Sequence, residues 1–329
     1  GTDHHEISMS AADFRDFLPR YAWYMEEPVC EAPAIALYYI TKLARESVKV
    51  LISGEGGDEA FAGYQTYRGV LWVERLKSAM GPLKGPLASA AGSANHFLKN
   101  PRIAKYAPLL ANSFEGYYYS RSSGPDSFFN KNVDTLYSSE FANLSDKGFA
   151  TRPMRDVMAS SRGFGLVNRM LYVDTKTSLP DDLLLKADKM TMANSIELRV
   201  PFLDHKLLEF AASLPEDQKV RGFTTKYLAK RALGSRIPEP ILKRRKAGFP
   251  VPFGAWMRAD LKDYVHDVLL DRTTLERGYF NVACIEKLLR ANAESGQYAK
   301  EVLSLLTLEL WHRAFLTSNA GVSPEPVGV

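Results

Sequence analysis

The stretch VKVLISGEGGDEAFAGY, residues 48–64, sets the reading of this chain: a compact aliphatic run stops abruptly at a turn of glycines and acids. VKVLI at 48–52 has the length and β-branched content of a strand, with charge on one side and glycine on the other. That predicts a buried parallel strand. Upstream, Ala11 to Met25 is expected to be helical. Pro33 suits a first helical turn ahead of Ala36, Leu37, Ile40, Leu43 and Ala44, whose spacing makes one apolar stripe. Helix, strand and glycine-rich loop in that order is the grammar of an α/β fold.

The pattern changes near residue 68. No second strand followed by a crossover helix can be read downstream, and 79–95, rich in Gly, Pro, Ala and Ser, reads as a connection. Helical periodicity then dominates: Leu207, Phe210, Ala211 and Leu214 form one stripe, and Val302 to Phe315 reads as a strong apolar helix. From Thr317 onward periodicity is lost, which predicts a disordered tail. The expected organisation is an α/β portion over 1–68, a mainly helical portion over 69–316 and a tail over 317–329.

SGEGGDE at 53–59 follows the expected strand directly. Small residues at the carboxyl end of a parallel strand let backbone N–H groups approach a nucleotide, which makes Ser53, Gly54, Gly56 and Gly57 candidate contacts. Asp58 and Glu59 are expected to face the same crevice, and Asp58 can supply a carboxylate to a Mg²⁺ ion carried by a triphosphate. The same residues would also serve as a tight turn whose acids cap the next helix. The glycines do not fit the dinucleotide fingerprint, and the sequence contains no Gly-x-x-x-x-Gly-Lys phosphate loop.

A second stretch, LPDDLLLKADKMTMANSIELRVPFLD at 179–204, interleaves Lys186, Asp188, Lys189, Glu197 and Arg199 with Leu, Met and Val. Partly buried, paired charges are expected there, with a structural role favoured over direct catalysis. A third, KRRKAGFPVPFGAW at 243–256, leads a basic cluster into a loop fixed by Gly248, Pro250 and Pro252. A loop lysine can neutralise charge developing on a phosphoryl group, while four neighbouring cations also suit a solvated patch or a nucleic-acid contact. His4 and His5 lack a third ligand at suitable spacing, and SSGPDS at 122–127 lacks the aliphatic strand that a pyrophosphate loop would follow.

Composition narrows the class. The chain has 329 residues, 46% hydrophobic and 24% charged, enough to bury a substantial core. With 42 Lys plus Arg against 38 Asp plus Glu, its net charge of +4 is too small to mark a nucleic-acid binder without a concentrated basic face. Cys30 and Cys284 are far apart and suggest neither a disulfide framework nor a zinc cluster. No run approaches the roughly 20 apolar residues of a membrane span, and the start lacks signal-peptide character, so a cytosolic location is expected. Gly1 in place of Met, followed by TDHHEI, reads as the middle of a longer chain.

Taken in order, LISGEGGDEAFAGY, LPDDLLLKADKMTMANSIELRVPFLD and KRRKAGFPVPFGAW resemble the synthetase domain of class II, glutamine-dependent asparagine synthetases, and the opening GTDHHEI resembles the family segment that precedes them. The resemblance covers nearly the whole chain. It implies an ATP pyrophosphatase fold, an incomplete parallel sheet with a large helical portion. An amino-terminal glutaminase domain and a Ser-Gly-Gly-x-Asp-Ser loop would lie upstream in the family, so the resemblance implies a truncated chain without independent activity.

The implied substrates are aspartate, ATP with Mg²⁺, and ammonia from glutamine, joined through β-aspartyl-AMP; a homodimer is carried as a further expectation, with no nucleic-acid or membrane partner. By motif, Ser53, Gly54, Gly56 and Gly57 match nucleotide contacts, Asp58 a Mg²⁺–pyrophosphate ligand, Glu55 the residue assisting ammonia attack, and Lys246 the cation stabilising the phosphoryl transition state. Glu59, Lys186, Asp188, Glu197 and Arg199 match supporting positions. A relative adenylating another carboxylate, such as an amidotransferase or a β-lactam-type synthetase, is the nearest alternative, although β-lactam-forming relatives tend to carry Tyr where this chain has Glu55. A non-catalytic basic helical module is the alternative of another class.

Overall fold

The structure is a computed structural model that describes residues 2–98, 100, 109–120, 124, 127–144, 151–244 and 248–317. Helix α1 (Ala11–Met25) opens with a reciprocal cap: Ser10 Oγ accepts the Asp13 amide at 3.2 Å and the Asp13 carboxylate accepts the Ser10 amide at 2.8 Å. It runs through Pro19 and stops where Glu26 turns left-handed at φ 61°. Helix α2 (Ala32–Ala44) carries Pro33 in its first turn, where a missing N–H costs nothing. Strand β1 (Val50–Ile52), the short helix α3 (Gly57–Phe61), α4 (Gln65–Met80) and α5 (Lys84–Leu98) follow. Further along come α6 (Leu166–Lys176), a π-helical turn over Leu179–Leu184, α7 (Leu185–Met192), β2 (Glu197–Arg199) and α8 (His205–Ser213). Then come α9 (Glu216–Lys219), α10 (Tyr227–Leu233) and α11 (Ala299–Phe315).

The expected strand exists and is parallel, but three expectations around it need correction. First, a second strand is present: β2 pairs with β1 in the register Val50↔Glu197, Leu51↔Leu198 and Ile52↔Arg199. It escaped sequence reading because three residues with charged ends carry no readable period-2 pattern. Second, β1 is not buried. Val50 is 37% and Ile52 77% exposed, because among the described residues the sheet has two strands and the outward side chains of β1 have no layer packed over them. Third, 79–95 is no bare connection: a single 3₁₀ turn, Gly81–Leu83, leads into α5. Pro86 falls in the first turn of α5, which tolerates it, and the Ala-rich remainder favours helix.

The main core joins both ends of the chain. Phe14, Leu18, Tyr21 and Met25 of α1 and Ile35 of α2 pack in one buried cluster with Val302, Leu306 and Leu310 of α11. Full burial of each such side chain contributes about 1.5–3 kcal/mol. A second cluster, around Tyr67, Val70, Phe114, Tyr118, Met170 and Val173, lies behind the glycine turn. A small third one joins Ala60 and Phe61 of α3 to Ala211 of α8, with Leu207 and Leu214 packed against it. Phe210, expected in the same stripe, is 53% exposed. The expected apolar helix near the end is α11. The tail after Thr317 and, apart from Gly124 and Ser127, the SSGPDS segment lie outside the described residues. Among the described residues no helix is long and apolar enough to cross a membrane.

Candidate functional site

Where β1 ends, the Ser53 amide donates to the Arg199 carbonyl at 2.8 Å, carrying the strand pairing one residue into the turn. Gly54 is exposed with open space around it, and Glu55 is half-buried. Gly56 adopts φ +81°, and a Cβ there would lie 2.0 Å from Leu203 Cδ2; the position therefore requires glycine twice over, by backbone conformation and by packing. At Gly57, the first residue of α3, the Phe202 ring leaves only 3.3 Å for a Cβ. Helix α3 ends at Ala62, itself left-handed at φ 57°. The Gly63 amide donates back to the Asp58 carbonyl at 2.9 Å and closes the turn.

The two acids of α3 part company. Asp58 meets Lys226 Nζ at 2.8 Å and lines a cleft of about 930 Å³, whereas Glu59, 2% exposed, lines a separate cavity of about 390 Å³ on the other side of α3. The expectation that both face one crevice fails for a geometric reason: successive helical residues point about 100° apart. Glu59 accepts the Tyr64 hydroxyl at 2.6 Å, and burial pushes its carboxyl pKa up. Behind it, Asp174 of α6 receives the Tyr67 hydroxyl at 2.5 Å and the Tyr118 hydroxyl at 2.8 Å, so a buried polar network braces the back of the turn.

The Asp58 cleft is strongly basic. Arg68, Lys226, Lys230, Arg231 and Arg244 line it along with Asp58. Lys226 holds a left-handed backbone at φ 52° immediately before α10, a strained conformation of the kind that persists where the surroundings impose it. Sequence reading missed Lys226 and Arg68, since an isolated cation in an unpatterned stretch carries no signal. It did mark the cluster at 243–246, and Arg244 from that cluster reaches the cleft; Lys246 lies outside the described residues.

The expected supporting residues sort by environment. Lys186 is buried and paired with Glu31 at 2.8 Å and with Asp182 at 3.9 Å, which ties α7 to the start of α2 and fits the structural role. Lys189 pairs with Glu26. Asp188 is exposed. Glu197 and Arg199 pair at 2.8 Å but are largely exposed, on one face of β2 as alternate strand residues must be. Lys186 and Lys189, whose side chain is 27% exposed, meet the expectation of partial burial together with pairing, whereas Asp188, Glu197 and Arg199 are exposed.

Among the described residues no group of three or more His, Cys, Asp or Glu side chains could hold a metal by itself. His4 and His5 are exposed beside Glu6 and Asp3. A single carboxylate such as Asp58 fits the way Mg²⁺ is held when phosphates supply most of its oxygen ligands. Cys30 and Cys284 are both free thiols.

Comparison with known proteins agrees with the motif order. The asparagine synthase family model matches residues 1–313. The glutamine-hydrolyzing asparagine synthetase 1 of Bacillus subtilis is 31% identical over 308 residues, 92% of this chain and 46% of that protein. A putative glutamine-hydrolyzing asparagine synthetase of Mycobacterium tuberculosis is 32% identical over 319 residues, 96% and 47% respectively. An amidase of Penicillium rubens, chyE, is 24% identical over 272 residues, 78% and 40%. The chain spans about half the length of the curated relatives it matches. It belongs to the asparagine synthase family.

Proposed function

We propose that this chain is the synthetase portion of an enzyme that converts aspartate to asparagine with ATP and ammonia, built on an ATP pyrophosphatase-type fold. Residues 1–68 together with β2 would carry the remaining part of the α/β sheet and the rest of 69–316 the helical portion, with ammonia supplied from glutamine at a site outside this chain. One observation carries the reading: Asp58, at the carboxyl end of β1, faces a cleft lined by Arg68, Lys226, Lys230, Arg231 and Arg244. A cleft of that charge suits a polyphosphate rather than a neutral ligand.

The chemistry accounts for the charges. A carboxylate is a poor acyl electrophile, so the aspartate side chain attacks the α-phosphorus of ATP, pyrophosphate leaves, and ammonia then displaces AMP from the β-aspartyl adenylate. The cleft cations offset the charge of the triphosphate and of the departing pyrophosphate. Asp58 would hold Mg²⁺, which when bound screens the repulsion between the two reacting anions. Gly57 lines the cleft, and Ser53, Gly54 and Gly56 are assigned on their motif to present backbone to the nucleotide. Glu55, half-buried in the turn beside the cleft lining, is assigned on its motif to take the proton that the attacking ammonia must lose. Lys246 is proposed on its motif, two residues beyond Arg244.

The test uses the longest form of the protein that its gene encodes, with ATP, Mg²⁺, ammonia and a panel of carboxylates. AMP and pyrophosphate should form only with the true acceptor, here aspartate. Release of ADP, or turnover indifferent to aspartate, sinks the reading. Glu55→Gln should abolish amide formation while sparing glutamine hydrolysis; unchanged synthesis removes Glu55 from the mechanism.

A further inference from the structure

Lys219, at the end of α9, is 1% exposed, yet its side chain makes one hydrogen bond among the described residues, from Nζ to the Asn168 amide oxygen at 2.6 Å. An ammonium carries three donors, and burying it with a single neutral partner is costly. Glu216, three residues earlier on the same helix, favours the charged ammonium through space without a hydrogen bond to it, and its Oε1 accepts the Asn168 backbone amide at 3.1 Å, near the start of α6. A Cβ at Gly165 would lie 2.4 Å from that same oxygen, so glycine there makes room for the carboxylate.

Lys219 lines the 390 Å³ cavity enclosed by α3, α6, α8 and α9, on the opposite side of α3 from the Asp58 cleft. Its walls are mainly apolar, from Ala60, Leu171, Leu208 and Ala211. The other ionisable groups facing it are Glu59 of α3, Tyr172 of α6 and Glu209 of α8. Volume and lining fall in the range of small-molecule sites, apolar with a few polar groups that orient the ligand.

We propose that this cavity binds a small monocarboxylate with a short apolar body, its carboxylate paired with Lys219. The two neighbouring glutamates disfavour a phosphate or dicarboxylate, and the apolar walls disfavour a polar body. This site is independent of the synthetase reading, since neither ATP nor Asp58 takes part.

Calorimetric titration of the whole chain with pentanoate, in the absence of nucleotide, tests it, with pentylamine and inorganic phosphate as comparison probes. Pentanoate should bind best. Burial lowers the Lys219 pKa to about 8, so pentanoate affinity should fall about tenfold for each pH unit above that value, as the ammonium loses its proton. Lys219→Met should weaken binding at least about tenfold, the loss expected for a charge-assisted hydrogen bond of about 1.5–3 kcal/mol. Ala212→Phe, which leaves Lys219 in place and fills the cavity from its rim, should weaken it as well, and decides the matter if the first variant fails to fold. Equal binding of pentylamine, tighter binding of phosphate, or full affinity in the folded variants overturns the proposal.

Discussion

A Cβ at Gly63 would sit 1.7 Å from Asp58 Oδ1 and 2.3 Å from Lys226 Cε, so this small residue is what lets the carboxylate and the ammonium meet. Gly63→Ala is expected to separate them. Overpacking of this kind costs about 1–3 kcal/mol of stability, and ATP–Mg²⁺ affinity should fall by a larger factor than stability alone explains. Fluorescence titration of nucleotide beside a thermal melt checks this, and intact affinity would show that the pair plays no part in binding. Glu59 gives a pH-dependent test. Its pKa is raised on folding by burial, so the folded state holds the proton more tightly and stability is lost as pH rises through the raised value. Glu59→Gln keeps an acceptor for Tyr64 and removes that slope. Relative to the parent, the variant should gain stability as pH climbs from the ordinary carboxylate range to neutrality; denaturant titrations giving a constant difference count against it. At this scale the glycine turn was legible because each glycine and acid has a reason to be there. Lys226 and Lys219 were not, since what makes them unusual is who faces them across long stretches of chain.

Among the elements, α1 was read to its end residues, and the structure shows a reciprocal cap at Ser10 and a left-handed stop at Glu26 at those ends. Strand β1 was read for type and direction but not for burial, which depends on what lies over it and not on its own residues. Strand β2 was invisible in three residues, and α5 was masked by the turn-forming composition of its start. Nothing in the sequence announced that α6 is fastened to α4 through Asp174, because a buried Asp looks like any other until its tyrosines arrive. Tyr67 is fully buried and donates to one of the two Asp174 oxygens. Tyr67→Phe keeps the ring and leaves that oxygen one donor short, which should cost about 1–3 kcal/mol. The midpoint of urea unfolding reports it. An unchanged midpoint means the bond holds nothing together.

Over the whole molecule, a net charge of +4 on 329 residues conceals the concentration of five basic side chains around one acid in the Asp58 cleft. Composition could not show it, because the cations come from positions 68, 226, 230, 231 and 244 and meet only when α10 and the segment after it fold beside α3 and α4. The same concentration would suit a nucleic-acid groove, and ionic strength separates the two. A nucleic acid gripped through six to ten phosphates loses about 10³–10⁵ in affinity between roughly 50 and 200 mM salt. A triphosphate offers far fewer charges, so its affinity should fall much less over that range. The acid sharpens the distinction: Asp58→Asn removes a negative charge that repels any phosphate backbone but takes away the carboxylate proposed for Mg²⁺. The nucleotide reading therefore expects the variant to lose its Mg²⁺-dependent ATP binding at every salt concentration. A groove for nucleic acid expects the same variant to bind a single-stranded oligonucleotide more tightly, with the steep salt dependence intact.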